Sequence, residues 1–251
     1  MKIFLQITMV MFLISCSVNK KQETADVGLL VQEPEMIEEK LNVIDTVLAY
    51  NAPEFVDSSR HQLFIDTTKS SKYYKEIIDW KPNKFDNQAV EYYFKEISET
   101  FDATTVDLKQ FPRDWISIYS LDNEFVAYNP INGIDWRFSL TDSSVNHYRM
   151  EADTEAISKV ISLSQDELIL ELRTIKQNTK DQISFIKIKK TKHSYIYVFQ
   201  RLEYLGFNEN DYSNLITPLE SLINYNLVVS DAPNLVHSIV QFDKADKSKL
   251  E

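Results

Sequence analysis

The sequence predicts an α+β fold: helices in the N-terminal third, then an antiparallel β-meander of about eight strands with a barrel-like closure. Three observations predict it. Apolar residues recur at helical spacing as far as Phe101, then fall into short alternating runs from Pro112 onward, and only short turn-forming stretches separate those runs. Reversals that short force neighbouring strands to run antiparallel, because a parallel return needs a crossover of about a dozen residues. A meander of this length hides its edges best by curling on itself.

Taken in order, Ile37, Leu41, Ile44 and Leu48 share one face of a helix over 36–50, and Pro53 ends it. The run 61–66 (HQLFID) reads as a short strand, and 72–80 as a helix that stops before Pro82. Asp86 or Asn87 can cap a second helix whose apolar face is Val90, Tyr93, Phe94, Ile97 and Phe101. The meander occupies 112–202. Its breaks are Leu121-Asp122-Asn123, Asn132-Gly133, Thr141 to Ser144, Ser164-Gln165-Asp166, 177–181 and Thr191 to Ser194. Trp136, Phe138 and Leu140 alternate with Arg137, Ser139 and Thr141; Leu168, Leu170 and Leu172 face away from Glu167, Glu171 and Arg173. The segment 203–251 is mixed, with a helix over Pro218 to Tyr225 and a strand over 227–230.

Composition narrows the function classes. Hydrophobic residues make up 43% and aromatics 12%, enough for a packed core, and the formal charge of −11 argues against nucleic acid, whose binding depends on Lys and Arg. Gly28, Gly133 and Gly206 are the three glycines. Phosphate-cradling loops, dinucleotide-binding turns and nucleophile elbows need glycine at several fixed places, so none can be assembled, and no cofactor is expected.

The N-terminus carries an address. Met1-Lys2 is followed by an apolar run, Ile3 to Ile14, too short to span a bilayer but fitting the core of a secretory signal. Leu13-Ile14-Ser15-Cys16 closes that run and resembles the lipobox of bacterial lipoproteins: an aliphatic residue, a tolerant position, a small residue and the Cys. The resemblance implies cleavage after Ser15, with Leu13, Ile14 and Ser15 recognised by the signal peptidase. It further implies a lipid on Cys16, the single cysteine. Loss of residues 1–15 removes one lysine and would leave 236 residues at a formal charge of −12. Two or more acyl chains anchor stably where one does not. Residues 16–35 form a polar tether, whose reach of about 25 Å would lift the body off the headgroups. Ser17, where Asp would imply inner-membrane retention, implies the outer membrane under the familiar sorting rule. The expected location is therefore a lipid-anchored one in the cell envelope.

A second resemblance covers 112–202. An aromatic opening strand, with Trp115, followed by a meander resembles the lipocalin-type barrel in architecture. That family's opening Trp sits two residues after a Gly, whereas Trp115 follows Pro112-Arg113-Asp114, so no binding residue is carried over.

The candidate sites are few. His61, His147, His193 and His237 lack metal-binding spacing and read as ordinary surface or core residues. Ser184 and Lys187 match S-x-x-K, but on a strand they point to opposite faces; Ser17 to Lys20 matches within the tether, where nothing would preorganise it. Glu151/Asp153/Glu155 and Glu209/Asp211 lack a calcium loop, so solvated turns are expected there. Lys187, Lys189, Lys190 and Lys192 form a basic stripe, read mainly as protection of an exposed strand edge and alternatively as a seat for an anion. Trp115, Tyr119, Trp136, Phe138, Tyr195, Tyr197 and Phe199 are expected to share the barrel, filling its core or lining a cavity.

The expected function is a non-enzymatic envelope module binding a small apolar ligand or a partner protein. An accessory subunit docking through its aromatic helices and a carboxylate-dependent hydrolase are the alternatives. Radiolabelled fatty acid should appear on the wild-type protein and not on Cys16→Ser, which should remain unprocessed. An unlabelled wild type, or a variant that matures and localises unchanged, would remove the anchor.

Overall fold

A computed structural model describes residues 46–47, 62–109, 111–130, 137–148, 151–176, 179–202, 213–231, 242–243 and 250. All lie in the second of two compact units, 41–251. The strands are β1 (Thr46–Val47), β2 (Gln62–Asp66), β3 (Asp114–Leu121), β4 (Glu124–Pro130), β5 (Arg137–Leu140), β6 (Ser144–Tyr148), β7 (Asp153–Leu163), β8 (Glu167–Lys176), β9 (Thr179–Lys190), β10 (Tyr197–Leu202), β11 (Ser213–Pro218) and β12 (Asn226–Asp231). The helices are α1 (Lys72–Ile78), α2 (Lys84–Ser98) and a 3-10 turn, Leu219–Asn224.

Eight strands close into an antiparallel barrel in the order β3-β5-β6-β7-β8-β9-β10-β11 and back to β3. All eight sequence-predicted strands form, but they do not close by themselves. β4 leaves the barrel, and β11, which the sequence reading left inside the mixed C-terminal segment, takes the vacant place. The cause lies in β3. Its residues 114–116 pair with β5, while 119–121 on the same edge pair with β4, so the sheet forks there. The Asp122-Asn123 turn between β3 and β4 has both residues at positive φ, 51° and 66°, as a two-residue hairpin requires. From the fork, β4 runs parallel to β12, β12 antiparallel to β2, and β2 antiparallel to β1.

Inside the barrel every strand contributes apolar residues: Trp115, Phe138, Val145, Ile157, Leu170, Ile186, Phe199 and Ile216 are all 2% exposed or less. The stretch before β3 plugs one end. Val106, Leu108 and Phe111 pack into the core, and the Val106 N–H donates to the Asp142 carbonyl at 2.7 Å to fix that stretch across the β5–β6 turn. Trp115 stacks on Phe138 and meets Tyr197 edge-on at 4.9 Å, while its indole N–H donates to the Pro112 carbonyl at 3.0 Å. Architecturally this is a lipocalin-like barrel with a second sheet grafted onto its first strand.

The second sheet has its own packing. Phe64, Ala127, Leu227 and Val229 meet Tyr74 and Ile77 of α1, Leu222, and the barrel's outer residues Ile116, Ile118 and Leu215. Tyr74 is fully buried, and its hydroxyl donates to the Tyr225 carbonyl at 2.6 Å; burial, then the nearby Asp66 charge, push that phenol well up. α2 lies against β6, β7 and β8.

Several expectations need correction. Of the helix expected over 36–50, the described residues Thr46–Val47 are extended and pair with Ile65 and Phe64 on the open edge of β2; the others are outside the described residues. α2 is capped by Asn83, three residues before Asp86, and Asp86 accepts from the Asn83 N–H as the reciprocal half of a capping box. The segment expected as a helix over Pro218 to Tyr225 is the 3-10 turn. Tyr195 is not a barrel residue: it sits in the β9–β10 turn at φ 66° and is 49% exposed. Tyr119 faces the second sheet, stacked on Phe242 at 4.3 Å. Trp136 and Asn132-Gly133 lie outside the described residues.

Trp115→Ala should lower the unfolding free energy by about 3–5 kcal/mol, read from the urea midpoint, because the plug and two facing rings would line a cavity.

Candidate functional site

Two places on the barrel combine polar chemistry with a defined geometry: a charged cluster inside one end and a basic groove on the outer wall.

The cluster follows from strand parity. Glu155 lies two residues from Ile157, Arg201 two from Phe199, and Ser184 two from Ile186, so each shares the inward face of its strand. His147 is two residues beyond Val145 on β6. The His147 Nε2–H donates to Glu155 Oε2 at 3.0 Å, and the Ser184 hydroxyl donates to Glu155 Oε1 at 3.1 Å. The Arg201 guanidinium completes the set with a close ion pair to the same carboxylate. β7 and β10 are not neighbours in the barrel, so this pair spans its interior. The side chains of His147, Glu155 and Arg201 are 1%, 6% and 31% exposed. Burial by itself would raise the Glu155 carboxyl; the His147 hydrogen bond and the Arg201 charge outweigh it and hold the group down at about 2.

That arrangement ties the barrel together and is poorly disposed for catalysis. Serine, histidine and carboxylate meet, but the serine hydroxyl donates to the carboxylate rather than to the imidazole, so nothing activates it as a nucleophile. A carboxyl held at about 2 is a poor general acid near neutral pH. Nor do Glu151, Asp153 and Glu155 form a cation site: Glu151 is exposed, and both Glu155 oxygens are taken. Among the described residues no group of three or more His, Cys, Asp or Glu is disposed to hold a metal.

The groove lies on the outer face of β9 and β10. Lys187 pairs across the strands with Gln200, and Lys189 with Val198. Lys190, Thr191, Lys192 and Asp166 border one end, Leu250 lines the wall, and the open groove has a volume of about 490 Å³. The reading of these lysines as edge protection fails, because β9 is hydrogen-bonded to β8 on one side and β10 on the other and has no open edge. Lys187 pairs with Glu167 at 3.3 Å and Lys190 with Asp166 at 3.5 Å. Lys189 and Lys192 are exposed, and among the described residues neither has a carboxylate partner. The S-x-x-K match separates as expected: Ser184 is inside and Lys187 outside.

A smaller hollow of about 80 Å³, bordered by Trp80, Arg137 and Tyr148, has room for little more than a few waters. Its Arg137 guanidinium stacks over Trp80 at 4.4 Å. His193 packs beside Phe125, with ring centres 5.2 Å apart. Leu13, Ile14, Ser15, Cys16, Ser17 to Lys20, His61, His237, Glu209 and Asp211 lie outside the described residues. The solvated turn expected at Glu151, Asp153 and Glu155 holds for exposed Glu151 but not for Glu155, which is buried on β7 because its strand position faces inward. Sequence reasoning passed over Arg201, and the available signal was a charge at an inward position among apolar ones.

No helix among the described residues is long and apolar enough to cross a membrane. No family model, no curated protein and no solved structure matches this chain.

Glu155→Gln should cost about 3–5 kcal/mol by leaving Arg201 without its counter-charge. Because the folded carboxyl sits below its ordinary value of about 4.3, the ion pair contributes fully above that value and is lost as pH falls toward 2. Urea midpoints followed against pH should therefore fall over that window in the wild type, with this component missing from the variant.

Proposed function

We propose that the protein is a binding module of the bacterial cell envelope, held to a membrane through lipid on Cys16 and performing no chemistry of its own. The lipobox-like run supports the anchor. One observation carries the binding reading: a closed barrel whose plugged half is filled by its own side chains, with a groove of about 490 Å³ on its outer wall that holds two lysines without carboxylate partners among the described residues. A filled half favours a ligand taken at the surface over an apolar one swallowed whole. The volume falls within the usual range of small-molecule sites, about 300–1,000 Å³.

A second reading, an accessory subunit of an envelope complex, is favoured by α2, where Phe85 and Tyr92 stand 79% and 58% exposed on a helix whose other face lies against the barrel. A carboxylate-dependent hydrolase draws no support from Glu155, whose ionised state is locked by two partners.

Native mass spectrometry of protein purified from its own cells should show a retained non-covalent molecule or chain, and crosslinking before lysis separates the two readings. A species carrying only its covalent lipid, with no crosslinked neighbour, overturns both.

A further inference from the structure

We propose that the outer groove of β9 and β10 binds the phosphate headgroup of an anionic amphiphile. The inference rests on the reading of the chain as a binding module and names what that groove takes.

Charge comes first. In a chain of formal charge −11, Lys187, Lys189, Lys190 and Lys192 converge on one hollow where, among the described residues, Asp166 is the bordering acid. Glu167 and Asp166 form ion pairs with Lys187 and Lys190, and among the described residues no carboxylate lies within ion-pair distance of Lys189 or Lys192. Lysine binds phosphate as a point charge with three donors, and a phosphate monoester carries about −1.5 to −2 at neutral pH. Successive outward residues on a strand stand about 6.6 Å apart, so Lys187 and Lys189 can approach one phosphate from two sides.

The second argument is the apolar part of the lining. Val198, partly exposed, sits across from Lys189 and lines the hollow beside the aliphatic stems of the lysines. A bare inorganic anion gains nothing from them. An amphiphile does, because its glycerol and first methylenes can cover this strip while the headgroup meets the ammonium groups.

The third is rigidity. The Lys192 N–H donates to the Leu250 carbonyl at 3.1 Å, the Thr217 hydroxyl to the Tyr195 carbonyl at 2.7 Å, and the Tyr225 hydroxyl to the Ser194 carbonyl at 3.0 Å. The turn bearing Lys192 is thus fixed from β11 and from the residue after the 3-10 turn, which lowers the ordering cost of binding. The strained Tyr195 conformation is held in place by the same bonds.

The test uses the full chain in phosphatidylcholine nanodiscs and calorimetric titration with dihexanoyl phosphatidic acid below its micelle concentration. Saturable binding is expected, weakened about tenfold or more in Lys189→Gln/Lys192→Gln as charge-assisted hydrogen bonds are lost. Lys189→Arg/Lys192→Arg should retain it, and rising salt should weaken it. Both lysines are exposed, so unchanged unfolding midpoints are expected to show that the variants fold. Equal affinity in the Gln variant, no binding to the wild type, or equal affinity for dihexanoyl phosphatidylcholine overturns the assignment. Inorganic phosphate binding as tightly as the phosphatidate, or a polyglutamate peptide binding in preference, overturns the amphiphile. A partner still retained by the Gln variant in native mass spectrometry would leave the binding-module reading standing while this assignment falls.

Discussion

The architecture turns on one strand. β3 gives one edge to β11 and divides the other between β5 and β4, so the same eight residues close a barrel and start a second sheet. Its side chains divide accordingly: Trp115 points into the barrel, while Ile116 and Ile118 face the layer formed with α1 and the second sheet. Were β4 to stay beside β3 along its whole length, β5 would have no partner there and the barrel would carry an open seam. A free edge of that kind invites pairing with other chains.

Within the barrel the two ends are held by different forces. Around Trp115 the interior is aromatic and aliphatic, plugged by Val106, Leu108 and Phe111, and its cohesion comes from close packing. Around Glu155 it is ionic, with one carboxylate accepting from three strands at once. The ionic end has geometry as its advantage: a charge pair reaching across the lumen constrains the barrel's girth, which pairwise strand contacts do not. The outer groove inherits that stability, since Lys187 and Lys189 project from the same strand that supplies Ser184, Ile186 and Ile188 to the inside.

Much of this was legible in the residues. The alternation of Leu168, Leu170 and Leu172 with charged neighbours set the pleat of β8, and Asp122-Asn123 marked a two-residue turn. Local signals of that kind survive because each depends on a residue's immediate neighbours. What was not legible depends on distant partners. Ser213–Pro218 has no strong alternation of its own and becomes a strand because β3 and β10 each offer it an edge. Thr46–Val47 is extended because β2 offers it an edge, which at those two residues overrides their helical spacing. The lysine stripe was visible, but its meaning depended on whether β9 had one neighbour or two. Glu155 and Arg201 lie 46 residues apart, and nothing local announces their meeting.

The strand β12 has a bearing on the order in which the chain acquires its shape. It is the bridge between β4 and β2, and β11, just before it, is the stave that completes the barrel. In a polypeptide made from its N-terminus, β5 through β10 can pair as sequence neighbours, but neither sheet can be completed until residues 213–231 arrive. Contacts this remote in sequence form slowly. Closure of both sheets therefore waits on the same short stretch.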